Sequence, residues 1–133
     1  MSEAARTPSG VVVTRTLAMP SDTNANGDIF GGWIMSQMDI AAGIVAKQVA
    51  RGRVVTIAVN GMRFLMPVQV GDAVTCYGRL SKIGRTSMTI DIEVWAMPAT
   101  AAAEQESCVT EATFTFVAID EAGRPVPVDP AAA

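Results

Sequence analysis

Histidine is absent from all 133 residues, and no other absence removes more chemistry. A Ser-His-Asp or Cys-His mechanism cannot run with its usual base, and histidine-ligated metal sites are excluded. Proton transfer near neutral pH falls to carboxylates, lysine, tyrosine or thiols. Cysteine is scarce: Cys76 and Cys108 are too few and too far apart for a zinc site, and read as reduced core thiols. Basic runs are missing and the net charge is only −3, so no nucleic-acid partner is expected. The longest apolar run of the expected helix, between Asp39 and Lys47, is too short to cross a bilayer. The opening "MSEAARTPSG" lacks a basic segment followed by an apolar one, so no signal peptide is read and the cytoplasm is the expected compartment.

Half of the chain is hydrophobic and 17% is charged, enough for one packed domain over 1–133, with 1–9 and 121–133 flexible. Aromatics make up 5%, so the core must be aliphatic and methionine-rich. Val11 to Met19 is rich in β-branched residues and predicts a strand. "SDTNANGD" is a loop by its density of turn formers. Phe30 to about Ala50 predicts a helix that is apolar nearly all round and therefore buried on most sides, ending near Gly52. Strands follow at about 54–66, 73–83, 87–97 and 108–119; in the third, Met88, Ile90, Ile92, Val94 and Ala96 alternate with polar neighbours and Trp95. "MPATAAAEQES" at 97–107 is a low-complexity hairpin loop, and the proline-rich tail is irregular. Consecutive strands favour antiparallel pairing, and the order of elements indicates an α+β layer architecture.

Within the apolar helix stands a carboxylate, Asp39. Helical spacing puts Gly32, Ser36, Asp39 and Gly43 on one stripe of small and polar residues, which leaves room for a ligand to lie against the helix. A buried structural carboxylate satisfied by backbone N–H groups or a serine is the alternative. Gly31 and Gly32 fall at the helix start, where unpaired N–H groups point outward and glycine allows close approach. A thioester or ester carbonyl placed there would meet a ready oxyanion site; tight packing is the plainer explanation. Asn24 and Asn26, taken singly, are ordinary turn formers.

The segment "TLAMPSDTNANGDIFGGWIMSQMDIA" resembles the active-site segment of hotdog-fold acyl-CoA thioesterases, most of all the short YciA-type bacterial enzymes. The likeness continues through "GRVVTIAVNGMRFLMPVQVGD" and "IEVWAM" to "TEATFTFVAID". It implies a hotdog fold, a curved antiparallel β-sheet of about five strands wrapped around one long central helix, with sheets paired edge to edge in dimers and dimers assembled in threes. By position, Asp39 matches the catalytic carboxylate, and Asn24 a loop asparagine reaching the same site from a neighbouring subunit. Gly31 and Gly32 match the backbone donors to the thioester carbonyl. "GRTS", Gly84, Arg85, Thr86 and Ser87, matches a turn near the CoA phosphates, with Arg85 the best phosphate partner or else an ordinary solvated charge.

The resemblance thus implies an acyl-CoA thioester hydrolase that releases free CoA and a carboxylic acid and needs no cofactor. Asp39 would act as general base or as nucleophile. Hotdog dehydratases need a histidine that this chain lacks. A non-catalytic acyl-CoA-binding protein of the same fold is the alternative, and Asp39 weighs against it. The apolar helix predicts a homo-oligomer, dimer at minimum.

Overall fold

The computed structural model describes residues 6–100 and 105–128. The parts of the expected lead-in, loop and tail at 1–5, 101–104 and 129–133 lie outside the described residues. Strand β1 (Val11–Leu17) is followed by a short 3₁₀ turn (Pro20–Asp22) and helix α1 (Gly31–Ala50). Strands β2 (Val54–Phe64), β3 (Ala73–Ile83), β4 (Ser87–Met97) and β5 (Ser107–Ala118) complete the order. They form one antiparallel sheet in the order β1-β3-β4-β5-β2.

The period-two pattern of β4 does what such a pattern must. Met88, Ile90, Ile92 and Val94 point at the helix and are at most 1% exposed. From α1, Ile34, Met38, Ala41, Ala42 and Ala46 pack onto that layer. The small residues let the helix lie close. A Cβ on Gly78 of β3 would stand 3.3 Å from Val45 and 3.0 Å from Val13. On the opposite face of the sheet, Tyr77, Trp95 and Cys108 form a second small cluster. Arg6 lies over the Trp95 ring and bonds Glu93 and Glu111, which face each other across β4 and β5.

The expectation of a curved sheet wrapped around the helix is overturned. The sheet is open, with β1 and β2 as free edges, and α1 lies against one face of it. Because no strand covers its other side, Met35, Ile40 and Ile44 are exposed. Apolar composition all round the helix therefore did not mean burial all round. Smaller departures have local causes. β1 stops at Leu17 because Ala18 N–H turns to the Asp72 carbonyl. The left-handed residue ending the helix is Arg51 (φ 55), not Gly52. The irregular tail is fastened as far as Val128, which is buried, while Val126 packs on the core.

Candidate active site

The loop before α1 is built around Asn24. Its Oδ1 accepts the N–H of Asn26 (2.8 Å) and of Asp28 (3.2 Å). Its N–H donates to the Asp28 carbonyl at 2.7 Å. Gly27, at φ 86, closes the turn by donating to the Asn24 carbonyl. This is why the chain carries Asn-Ala-Asn-Gly-Asp here: a short side-chain acceptor and one left-handed glycine fold the loop into a tight reversal. The Asn24 amide nitrogen is left without a protein partner among the described residues. The reversal is tied down by Ile29 N–H to the Val68 carbonyl and Phe30 N–H to the Asp22 carbonyl.

That anchoring fixes where α1 begins. Phe30 is the N-cap and supplies no side-chain cap. The N–H groups of Trp33 and Ile34 turn back to the Phe30 carbonyl. Those of Gly31 and Gly32 donate to no protein acceptor among the described residues. A Cβ on Gly31 would touch only the Phe64 ring, at an ordinary 3.6 Å, and one on Gly32 would meet nothing within 4 Å. Nothing among the described residues demands glycine at Gly32. The start of α1 is thus a partly positive pair of donors, open at Gly32 and half-buried at Gly31 beside the Phe64 ring.

Asp39 lies about two turns further on. It is exposed, not buried as its apolar neighbours suggest, because it faces the outer strand β2. Its Oδ1 accepts the Thr56 hydroxyl at 2.7 Å, which leaves Oδ2 open. The small-residue stripe is divided. Ser36 spends its hydroxyl on the Trp33 carbonyl, and a Cβ on Gly43 would meet the Phe116 ring at 3.6 Å. Only the Gly32–Asp39 part is open. Thr56 is a site residue that sequence reasoning missed: one threonine among the valines and isoleucines of a strand carries no signal.

The rise of a helix sets Gly32 and Asp39 about 10 Å apart along the axis. One carbonyl cannot touch both groups within a single chain. Asn24, Gly31 and Gly32 gather at the start of α1. Asp39 bonds Thr56, which lies in the rung Thr56–Phe116–Met88; the β3–β4 turn that holds Gly84, Arg85, Thr86 and Ser87 opens β4, two strands from Thr56. The predicted residues therefore fall at separate places, half-sites only if they serve one reaction: the start of α1, and Asp39 with the turn two strands beyond Thr56.

The turn is tight because Gly84 N–H donates to the Ser87 carbonyl at 2.8 Å and a Cβ on Gly84 would meet Ser87 Oγ at 2.5 Å. Arg85 is exposed. Both thiols are poor nucleophiles: burial pushes Cys76 up, and burial first of all pushes Cys108 up to about 11. Burial also raises Tyr77, whose hydroxyl donates to Glu106 at 2.7 Å. Asp39 is left as an exposed carboxylate on the same helix as the open donor pair. No group of His, Cys, Asp and Glu among the described residues could hold a metal ion, and no described helix is long and apolar enough to cross a membrane.

Known proteins match this chain over most of its length. The family model described as the thioesterase superfamily matches residues 26–102. The acyl-CoA thioester hydrolase YciA of Escherichia coli (strain K12) is 56% identical over 126 residues, covering 94% of this chain and 96% of the relative. The hexameric thioesterase y2039 from Yersinia pestis superposes with a TM-score of 0.86 at 57% identity, over 93% of this chain and 99% of that one. HI0827, a hexameric broad-specificity acyl-coenzyme A thioesterase, superposes with a TM-score of 0.87 at 55% identity, over 93% and 84% of the two chains.

Proposed function

The chain belongs to the thioesterase superfamily, and from that premise we propose that it hydrolyses acyl-CoA thioesters to free CoA and a carboxylic acid. One observation carries the reading: an uncapped helix start with two open glycine N–H groups lies on the same helix as an exposed carboxylate that a threonine hydroxyl holds in place. As general base, Asp39 takes a proton from water as the water oxygen adds to the thioester carbonyl. The developing oxyanion faces the Gly31 and Gly32 N–H groups. The C–S bond then breaks, and the proton passes to the departing CoA sulfur. As nucleophile, the Asp39 carboxylate would itself add to the carbonyl and expel the CoA thiolate, and water would then open the resulting anhydride, giving the carboxylic acid, the freed Asp39 carboxylate and a proton for the thiolate. The same groups serve either route.

The separation of the half-sites makes the reaction a property of two copies. A second chain placed against the β2 edge would set its helix start, with Asn24, Gly31 and Gly32, beside Asp39 of the first. The relatives described as hexameric support an assembly of three such dimers. So does the exposure of Val55, Ile57 and Val59 on β2. The turn Gly84–Ser87 would take the CoA phosphates, with Arg85 as the charged partner.

Turnover of a panel of acyl-CoA thioesters, read by trapping the released thiol with a dye, tests the proposal. Release of CoA from at least part of the panel is expected. Tight acyl-CoA binding with no release would replace the enzyme with a non-catalytic binding protein. Co-refolding Asn24→Ala with Asp39→Ala chains tests the shared site: each variant alone should be nearly inactive, and the mixture should recover activity.

A further inference from the structure

The tail after β5 reaches back to the turn at Gly84–Ser87, and the turn's hydrogen bonds divide into two sets. All three carbonyls after Gly84 are taken. That of Arg85 accepts Val128 N–H (2.9 Å), that of Thr86 accepts Ala118 N–H (2.9 Å), and that of Ser87 accepts Gly84 N–H (2.8 Å). The N–H groups of Arg85 and Thr86 donate to no protein acceptor among the described residues. Consecutive free N–H groups form a concavity suited to an anion, and the exposed Arg85 side chain stands on the same turn. The inward bonds on the carbonyls fix which way the N–H groups face.

The segment supplying the Val128 bond is built to arrive there. Asp120 Oδ1 accepts the N–H groups of Ala122 and Arg124, both at 2.9 Å. Asp120 N–H donates to the Arg124 carbonyl, and Gly123, at φ 83, donates to the Asp120 carbonyl. Val126 N–H then returns to the Ala118 carbonyl at 2.9 Å. Arg53 reaches the Glu121 carbonyl at 3.2 Å. The buried Val128 side chain holds the end of this hairpin on the core.

We infer that the hairpin at 119–128 is a positioning element for phosphate binding, with Val128 N–H holding the Gly84–Ser87 turn in its anion-facing form. The inference rests on the reading of that turn as the CoA phosphate site. Val128 acts through Arg85 and touches no substrate.

The test compares an acyl-CoA with the acyl-pantetheine thioester of the same acid, which lacks the nucleotide phosphates. Val128→Pro deletes the N–H, and Val128→Ala keeps it while removing packing. Val128→Pro should raise KM for the acyl-CoA about 3- to 10-fold, the span of one lost hydrogen bond. It should leave kcat and both constants for acyl-pantetheine unchanged. Val128→Ala should move KM less than about 2-fold, because it keeps the bond. Arg85→Ala should raise KM for the acyl-CoA alone. If Arg85→Ala acts and Val128→Pro does not, the phosphate turn stands and the positioning role falls. If Val128→Ala matches Val128→Pro, packing explains the effect and the inference is wrong. If Arg85→Ala leaves KM unchanged, the phosphate reading and the inference fall together. Should Val128→Pro not fold, hydrogen exchange in the unaltered protein decides. Adding CoA should slow exchange at 85–87 and at Val128 together; slowing confined to 85–87 overturns the role of the hairpin.

Discussion

Strands β2 and β4 have the same length and nearly the same share of apolar residues, yet they live in different surroundings. In β4, every residue facing the helix from Met88 to Val94 is at most 1% exposed. In β2 no residue is buried, and Ile57 is 59% exposed. The difference is one of neighbours. β4 lies between β3 and β5, whereas β2 pairs only with β5 and presents an unpaired edge. An apolar free edge invites another strand. The same strand holds Asp39 through Thr56 and sets the Phe64 ring where a side chain on Gly31 would meet it. In the proposed reading, chemistry and assembly therefore converge on β2, one of the two edge strands that the single chain leaves unpaired.

The comparison can be broken with one substitution in each strand. Ile90→Lys in β4 buries an unpaired ammonium, at a cost of several kcal/mol, and should abolish folding. Ile57→Lys in β2 meets solvent in the lone chain and should leave the fold intact, while placing like charges across the pairing edge. We expect a folded monomer by light scattering and circular dichroism, with thioester turnover near background. An Ile57→Lys protein that still assembles and turns over substrate would separate the site from the edge.

Asp39→Asn should give the next largest effect. It keeps size and most hydrogen-bonding capacity and removes the base, so turnover should fall by at least ~10²-fold. Calorimetry should show CoA affinity retained, and thermal unfolding should be near that of the unaltered protein. The glycine donors would sustain a trace of activity, each such donor being worth roughly 10²–10³ in rate. A structural carboxylate would give the reverse pattern: lower melting temperature, weaker assembly, and activity lost only in proportion to folded protein.

Thr56→Val sharpens the comparison at one hydroxyl. Valine keeps the strand and its packing but frees the carboxylate to rotate. A fall in kcat of about 3- to 10-fold, one hydrogen bond's worth of orientation, is expected, with KM, assembly and melting temperature little changed. Thr56→Ser should restore the rate. An unchanged kcat would mean that Thr56 is a bystander.

Local patterns made much of this legible. Alternation in β4, turn formers at 20–28 and the glycine pair at the start of α1 each have a short-range physical cause, and the strand and helix limits fall within about two residues of those expected. What the sequence hid was context. Apolar residues nearly all round a helix do not say what covers each side, so the helix was expected to be enclosed by the sheet where it is open. Asp39 looked buried for the same reason. Thr56 and Val128 act through contacts far along the chain, and nothing in "VVTIAVN" or "PVPV" signals them. Asn24 shows a third limit: its loop-forming bonds explain its presence completely within one chain, so only the free amide nitrogen points toward a further role.

The smallest effect concerns the closed side of the sheet, where Cys108 pairs with Trp95 of β4. Burial, joined by the repulsion of Glu93 and Glu111 and opposed by Arg6 and a bond to the Thr110 backbone, raises this thiol from its ordinary 9.0 to about 11. Burial raises Cys76 too. A thiol raised in the folded state binds its proton more tightly there than in the unfolded chain. Its stabilising contribution is whole below pH 9 and is lost as pH climbs toward 11, by at most about 1.4 kcal/mol per pH unit per thiol. Melting temperature should therefore fall between pH 9 and pH 11. Cys108→Val removes one titrating group while filling similar space, so its fall over that window should be shallower. At pH 7 its turnover should match the unaltered protein, because neither thiol takes part in the reaction. An equally steep alkaline fall in Cys108→Val would show that Cys108 does not titrate in this window. Lost turnover at pH 7 in a folded, assembled Cys108→Val protein would mean that the closed face also serves the site, and the contrast between β2 and β4 would no longer hold.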